Sequence, residues 1–159
     1  MTRENENIAV RNRAPVPRSE CPLAIAAELI GERWMLLIIR EAFYGVIRFE
    51  DMLADLDIPR AMLSDRLKKL CDAQILEKRP YREPGTRQRM AYFLTAKGQA
   101  LAAPLISLSQ WAEQEVMEKP APVEFVRRVT GETIRAKLVD ANGTVAQPRD
   151  ITIRLPEQR

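Results

Sequence analysis

The chain has 159 residues, which is about the size of one domain. Its residues are 46% hydrophobic and 30% charged, with a net charge of +3, and this composition excludes a mostly disordered or collagen-like chain. Histidine is absent and the only cysteines are Cys21 and Cys71, so neither a Ser/His/Asp triad nor a Cys/His zinc site can be assembled. We therefore expect no metal and no cofactor.

The sequence predicts a protein without a membrane partner. The longest stretch without a charge runs from Gly98 to Ala112, which is shorter than the roughly 20 apolar residues of a membrane span. The polar N-terminus lacks the apolar core of a signal peptide. We expect a cytoplasmic protein whose two thiols are reduced at rest.

The positive charge is concentrated in one part of the chain. Residues 41–57 contain five acids and one base, whereas residues 58–94 contain nine bases and four acids. The nine bases are Arg60, Arg66, Lys68, Lys69, Lys78, Arg79, Arg82, Arg87 and Arg89. Such a cluster is either a solvated surface or a binding surface for a polyanion, and the elements predicted around it decide between the two.

The first part of the chain predicts an arm and two helices. Residues 1–20 are polar and lack periodicity, which is typical of a flexible arm. A first helix is predicted to begin at Pro22 and to stop at Gly31. An apolar run from Trp34 predicts a second helix that forms the centre of the core and ends before Gly45.

A helix-turn-helix and a hairpin are predicted next. A short third helix over residues 49–57 leads into a fourth helix at about 59–73. The inward positions of the fourth helix are Leu63, Leu67, Leu70 and Cys71, and the outward positions are Arg60, Ala61, Ser64, Asp65 and Lys68. Two strand-like runs at 75–82 and 87–94 flank a Pro-Gly turn, which predicts a basic hairpin.

The last part of the chain predicts a long helix and a small β meander. Thr95 is expected to cap a fifth helix, which Pro104 bends without ending it. The apolar stripe of this helix comprises Leu101, Leu105, Leu108, Ala112 and Val116, with Trp111 beside it. Such a stripe is typical both of ordinary core and of a subunit interface. Residues 123–155 alternate with a period of two, which predicts a three-stranded meander.

Three helices followed by a basic hairpin describe a winged helix-turn-helix, so the predicted fold class is α+β, mainly α with a β wing. The fourth helix would enter the DNA major groove, with Arg60 as a reader of guanine, while the hairpin lies along the backbone. Asp65 would either accept a hydrogen bond from cytosine or pair with Arg66 or Lys69. The candidate DNA-binding residues are Arg60, Ala61, Ser64, Asp65, Arg66, Lys68, Lys69, Arg82, Arg87 and Arg89.

Several short motifs follow one another in residues 21–115. They are Cys21-Pro22, Gly31-Glu32-Arg33-Trp34, Arg48-Phe49-Glu50-Asp51-Met52-Leu53, Leu63-Ser64-Asp65-Arg66-Leu67 and Tyr92-Phe93-Leu94-Thr95 with Gly98. In this order they resemble the HxlR-type bacterial transcription regulators. The resemblance implies a homodimeric regulator of double-stranded DNA, with the fourth helix as reader and the hairpin as wing. It implies a dimer interface on the first and fifth helices, with the candidate residues Leu23, Leu101, Leu105, Leu108, Trp111, Ala112 and Val116.

Two features depart from the family pattern. Pro59 stands where similar sequences usually have a Ser that caps the recognition helix, so Asp57 is the expected cap. Residues 120–159 resemble the zinc ribbon of some longer family members but lack its cysteines, so we expect a metal-free remnant that packs on the dimer. The predicted domains are the arm, a DNA-binding and dimerisation domain at 21–119, and this appendage.

Two signals could control such a regulator. Cys21 lies at the start of the first helix, where partial positive charge stabilises a thiolate. The resemblance implies that a cysteine at this position senses oxidants, quinones or aldehydes, and the alternative is a partly buried cap residue without a signalling role. Cys71 is expected to be inert core. The rival signal is a small aromatic ligand at the dimer interface near Trp34, Phe43, Tyr44 and Trp111, which are also typical core residues.

The expected function is a DNA-binding regulator of a two-fold symmetric operator, and not an enzyme. A thiol-dependent enzyme with Cys21 as its nucleophile would lack a histidine base and a nearby resolving cysteine. A protein-interaction module on the same scaffold would gain little from a cluster of bases in the hairpin.

Overall fold

The computed structural model describes residues 13–82, 84–85 and 87–155. The helices are α1 (Pro22–Ile30), α2 (Arg33–Tyr44), α3 (Phe49–Leu56), α4 (Arg60–Asp72), α5 (Ala96–Gln99) and α6 (Ala102–Glu115), and the strands β1 (Leu76–Tyr81) and β2 (Arg89–Leu94) lie between α4 and α5. Short 3-10 turns occupy Arg18–Glu20 and Pro148–Asp150. The predicted α+β fold, mainly α with a β wing, is confirmed. None of the described helices is long and apolar enough to cross a membrane.

The core is built around α2, as predicted. Ile38 and Ile39 are fully buried, and α2 packs against α3, α4 and β2. The other buried apolar residues are Met35, Ala42, Met52, Ile58, Leu63, Leu67, Leu70, Ile75, Leu76, Ala91 and Tyr92. One charged side chain lies among them, because Glu41 is only 2% exposed and accepts a hydrogen bond from Arg40 on the same helix.

The turn between α3 and α4 differs from the prediction in its capping. Asp57 adopts the left-handed conformation with φ of 47° and ends α3, so it does not cap α4. Pro59 occupies the position before the first residue of α4, and its carbonyl accepts a hydrogen bond from the Leu63 amide at 3.0 Å. Proline cannot accept a hydrogen bond through its side chain, so α4 begins without a side-chain cap. The fixed φ of proline nevertheless suits the start of a helix.

The predicted hairpin is confirmed, and it is joined to the helices. β1 and β2 are antiparallel, with Leu76 opposite Leu94 and Tyr81 opposite Arg89. The Tyr92 amide donates a hydrogen bond of 2.8 Å to the Ile47 carbonyl, next to an isolated bridge between residues 48 and 91. The base of the wing is therefore fixed to the segment that precedes α3.

The long fifth helix predicted from Thr95 is two helices. Thr95 caps α5 as expected, because its hydroxyl accepts a hydrogen bond from the Gly98 amide at 3.0 Å. The chain then leaves the helix at residues 100–101, and α6 begins two residues before Pro104. Proline has no amide hydrogen and its ring would clash with the carbonyl of Ala100, so Pro104 is accommodated in the first turn of a new helix.

The predicted three-stranded meander is wrong. Within the described residues 120–155 there are two isolated bridges, one between Val126 and Thr133 and one between Val139 and Val145, and no longer ladder. The turns at Gly131 and Gly143 lie where the sequence indicated, and both glycines have positive φ. The large apolar side chains of this pattern, such as Leu138 and Ile153, are exposed, and an apolar period of two forms a sheet only where another surface buries that face.

The chain divides into two compact units. One is Arg18–Ala102, and the other contains the described residues 13–17 and 103–155. In the second unit the Ala136 amide donates a hydrogen bond of 2.9 Å to the Gln110 side chain of α6. The predicted domain boundaries, with an arm before residue 21 and an appendage after residue 119, stay a prediction.

Gly98 is required where α5 approaches the start of β1. A Cβ on this residue would lie 2.2 Å from the Ile75 carbonyl oxygen and 3.0 Å from Leu94 Cδ2. The Ile75 carbonyl is backbone and accepts a hydrogen bond from the Thr95 amide at 3.1 Å, so it cannot move away without breaking that bond. A side chain at position 98 would therefore push α5 away from the hairpin.

We expect Gly98→Ala to destabilise the protein by about 1–3 kcal/mol, the usual cost of overpacking a filled site. Urea denaturation followed by circular dichroism measures the change. Gln99→Ala, at the exposed neighbouring position on α5, is the control and should be neutral or slightly stabilising. Equal stabilities for Gly98→Ala and the wild type would contradict the close approach at this glycine.

Candidate nucleic-acid interface

The exposed face of α4 is basic and has small side chains at its centre. Leu63, Leu67 and Leu70 recur at helical spacing and are fully buried, which fixes the rotation of the helix. The exposed residues of this face are Arg60, Ala61, Ser64, Asp65, Lys68 and Lys69. Because Ala61 and Ser64 are short, a groove of DNA could approach the backbone of this helix closely.

Arg60 is held by a residue that the sequence analysis did not single out. Its two terminal nitrogens donate to both carboxylate oxygens of Glu50 on α3, with Nη1 to Oε1 at 2.8 Å and Nη2 to Oε2 at 2.7 Å. The guanidinium also lies over the Phe49 ring, 5.3 Å from its centre. The hydrogen bond from Arg60 holds the pKa of Glu50 below its ordinary value, and the same pairing raises the pKa of Arg60.

Asp65 pairs with other residues of α4. Its carboxylate lies 3.1 Å from Lys69 Nζ and also accepts a hydrogen bond from Arg66 at 2.5 Å. These hydrogen bonds, first that of Lys69 and then that of Arg66, lower the pKa of Asp65. Of the two alternatives left open by the sequence, the structure shows the internal pairing.

Arg66, one of the predicted DNA contacts, forms ion pairs within the chain. Its side chain is only 20% exposed, and its Nε and Nη2 both donate to Glu32 Oε1, at 2.9 and 2.5 Å. The bonds to Glu32, and then those to Asp65, raise the pKa of Arg66. Glu32 immediately precedes α2, so this pair ties the middle of α4 to the start of α2. The contact of Arg66 with DNA stays a prediction.

The two lysines of α4 are exposed and form ion pairs within the helix. The Lys68 side chain is 75% exposed and its Nζ lies 3.6 Å from Asp72, one helical turn further on. Ion pairs of this kind on a helix surface are weak and are screened by salt. Lys68 and Lys69 can therefore exchange their intramolecular partners for phosphate at little cost.

The hairpin contributes a second group of basic side chains. Arg82, Arg87 and Arg89 are exposed. Arg79 is used within the hairpin, because it pairs with Glu77 and lies over the Phe93 ring at 4.9 Å. A groove of about 490 Å³ separates the hairpin from α3, and its lining residues are Phe49, Glu50, Tyr81, Arg89, Met90 and Tyr92.

The predicted dimer residues are not buried in the single chain. Neither α1 nor α6 contains a buried residue, and the Leu23 side chain is 78% exposed. Leu108, Trp111 and Val116 are also exposed, whereas Leu101, Leu105 and Ala112 are intermediate. Within the part of the chain that the structure describes, no residue of the apolar stripe is buried.

The two cysteines have different surroundings. Cys21 is half-buried at the position before the first residue of α1, and its carbonyl accepts a hydrogen bond from the Ile25 amide at 3.0 Å. Nearby, the Arg18 guanidinium lies 4.0 Å from the Glu28 carboxylate. Cys71 is half-buried on α4, and burial raises the pKa of its thiol.

The aromatic residues considered as a ligand site make contacts of their own. Arg33 lies over the Trp34 ring at 4.7 Å, and Arg40 lies over the Tyr44 ring at 4.5 Å. Phe43 is half-buried on the same helix. These contacts assign Trp34 and Tyr44 to the surface of α2 without indicating a bound ligand.

Comparison with known proteins identifies the family. The model of the HxlR-like helix-turn-helix matches residues 29–120. An uncharacterised HTH-type transcriptional regulator of Mycobacterium tuberculosis strain H37Rv, Rv3095, is 39% identical over 116 residues, which cover 72% of each chain. The HTH-type transcriptional regulator YodB of Bacillus subtilis strain 168 is 36% identical over 96 residues, covering 59% of this chain and 84% of YodB.

Solved structures agree with this result. PA1607, described as a candidate transcription factor, superimposes with a TM-score of 0.73 and 29% identity, covering 86% of this chain and 95% of its own. The reduced form of YodB gives a TM-score of 0.52 with 34% identity, covering 62% of this chain and 97% of its own. The chain therefore belongs to the HxlR-like helix-turn-helix family of transcriptional regulators.

Proposed function

We propose that the protein is a homodimeric regulator that binds a two-fold symmetric operator through α4 and the hairpin. The observation that carries this proposal is the exposed face of α4, which combines accessible bases with short central side chains while its opposite face is sealed into the core. Direct readout of bases requires close approach of a helix to the major groove, and phosphate contacts fix its register.

In this proposal the residues of the interface have three different roles. Arg60, at the first position of α4, contacts a guanine, and Ala61 and Ser64 allow the approach. Lys68 and Lys69 bind phosphates, because their amine groups are exposed and only weakly paired. The wing arginines Arg82, Arg87 and Arg89 neutralise the adjacent backbone or enter a minor groove.

The exposed apolar side chains of two helices support the proposed dimer. On α1 the side chains of Leu23, Ile25 and Leu29 are exposed, and on α6 those of Leu108 and Trp111 are exposed. Exposed apolar side chains of this kind are typical of an interaction surface. A two-fold dimer would present two copies of α4 to half-sites about 34 Å apart, or a multiple of that distance.

DNA binding by this interface should depend steeply on salt. We expect the affinity for the DNA upstream of the protein's own gene to fall with increasing salt concentration, because several phosphates per subunit release counterions. Lys68→Ala and Lys69→Ala should each lower the slope of log K against log salt by about 1. Fluorescence anisotropy across a salt series measures both effects.

The control for that series is Lys137→Ala, an exposed lysine of the tail, which should leave the slope unchanged. Binding that is absent or insensitive to salt would contradict the proposal. A slope that falls equally in all three variants would show that α4 is not the contact surface.

We propose that thiol modification of Cys21 is the controlling signal. Cys21 is a free thiol, half-buried at the position before the first residue of α1. One solved structure of the relative YodB is described as a reduced form, which supports a redox signal. The alternative signal, a small aromatic ligand at the dimer interface, has Trp34, Phe43, Tyr44 and Trp111 as its candidate residues. The alternative of a thiol-dependent enzyme has no support from the named relatives, which are regulators.

Treatment with diamide or a quinone should change the operator affinity of the wild type but not of Cys21→Ser. Electrophoretic mobility shifts before and after treatment measure the response. Cys71→Ala is the matched control and should respond like the wild type. Identical responses of the wild type and Cys21→Ser would remove Cys21 from the mechanism and favour the ligand.

The remaining thiol should react slowly. In Cys21→Ser, we expect iodoacetamide to alkylate Cys71 more slowly in the folded protein than in denaturant at the same neutral pH. Burial raises the pKa of the thiol, so the thiolate fraction is smaller in the folded state. Mass spectrometry over time measures the two rates, and equal rates would contradict the half-buried position of Cys71.

A further inference from the structure

We propose that Glu50 is a positioning residue that determines how Arg60 discriminates guanine. This inference rests on the proposed function, because it concerns the same contact between α4 and DNA. Glu50 belongs to α3, so the first helix of the helix-turn-helix would set the specificity of the second.

Two contacts fix the plane of the Arg60 guanidinium. The parallel bonds to Glu50 constrain rotation within that plane, and the Phe49 ring at 5.3 Å supports one of its faces. Apart from these two contacts, the Arg60 side chain is exposed in the first turn of α4. A long exposed side chain without such contacts samples many rotamers. Holding it in one geometry before binding removes part of the entropy cost of ordering it on DNA.

The bonds to Glu50 leave a suitable edge of Arg60 for a base. A guanidinium has five N–H groups in one plane, and the carboxylate uses one from each terminal nitrogen. The edge formed by Nε and Nη2 retains two parallel donors. Guanine presents two acceptors in the major groove, O6 and N7, which match a pair of parallel donors. Arg60 can therefore bind Glu50 and guanine at the same time through different edges.

The charge of Glu50 has the opposite effect on non-specific binding. Its carboxylate is exposed beside Arg60 and near Arg89, so it reduces the positive potential that attracts phosphate. Removing this charge should strengthen binding to any duplex and weaken the distinction between the correct and the wrong base. A contact that merely blocks Arg60 would behave differently, because its loss would strengthen operator binding without reducing selectivity.

The test measures the ratio of affinities for the operator and for a duplex with one base pair changed. The changed position is the one at which Arg60→Ala abolishes discrimination in the wild-type operator. We expect Glu50→Gln and Glu50→Ala to lower this ratio by about five- to 100-fold, the range for loss of one bidentate base contact, while affinity for an unrelated duplex rises. Asp51→Asn is the matched control, since it removes the neighbouring exposed carboxylate of α3, and it should keep the ratio.

A double-mutant comparison separates positioning from a general change in the fold. In the Arg60→Ala background, Glu50→Gln should produce no further loss of discrimination, because the two residues act through one contact. An unchanged ratio in both Glu50 variants, or higher operator affinity with the ratio retained, would overturn the inference. A wild-type protein that shows no preference for any operator would instead overturn the proposed function itself.

Discussion

The structure depends on the burial of the leucine face of α4 against α2. Leu63, Leu67 and Leu70 are fully buried, as are Ile38 and Ile39 of the central helix. Full burial of a leucine side chain stabilises the fold by about 1.5–3 kcal/mol, several times the worth of an exposed ion pair. The leucines therefore decide which way α4 is rotated, and every exposed position of the helix follows from that rotation. The basic exposed face of α4 is thus a consequence of the core.

The number of bases on α4 does not show how much positive charge is available to bind phosphate. Each arginine of α4 is paired with a carboxylate from an earlier helix or turn, Arg60 with Glu50 and Arg66 with Glu32. Such a pair fixes the position of the arginine side chain. It adds little to the positive potential that attracts phosphate, because the carboxylate cancels most of the charge at a distance. The lysines of α4 are also paired, Lys68 with Asp72 and Lys69 with Asp65, but each pair joins two exposed residues one helical turn apart, where ion pairs are weak and screened by salt. In the proposed complex these lysines exchange their carboxylates for phosphate, whereas the arginine pairs join α4 to α3 and to the start of α2.

The sequence predicted the elements whose signals are local and missed the contacts whose partners are distant. Helix periodicity, the Pro-Gly turn and the Thr95 cap each depend on residues that are close in sequence, and the structure confirms them. The Glu32–Arg66 pair joins residues 34 positions apart, and no local pattern indicates it. The two errors, at Pro104 and in the tail, have another cause, because both regions were assigned from periodicity alone. Periodicity shows that a segment has an apolar face. It does not show whether a proline begins a new helix or whether another surface buries that face.

The exposed apolar faces of α1 and α6 suggest that the proposed dimer also stabilises these two helices. α1 has nine residues and α6 has 14, and neither buries a side chain within the described part of the chain. Isolated helices shorter than about 12–15 residues are marginal in water, so their stability comes from packing of the apolar face. If a second copy covers Leu23 and the stripe of α6, association supplies that packing. Dimerisation would then be a condition for the order of α1, whose first turn follows Cys21, as well as the means of placing two reader helices on DNA.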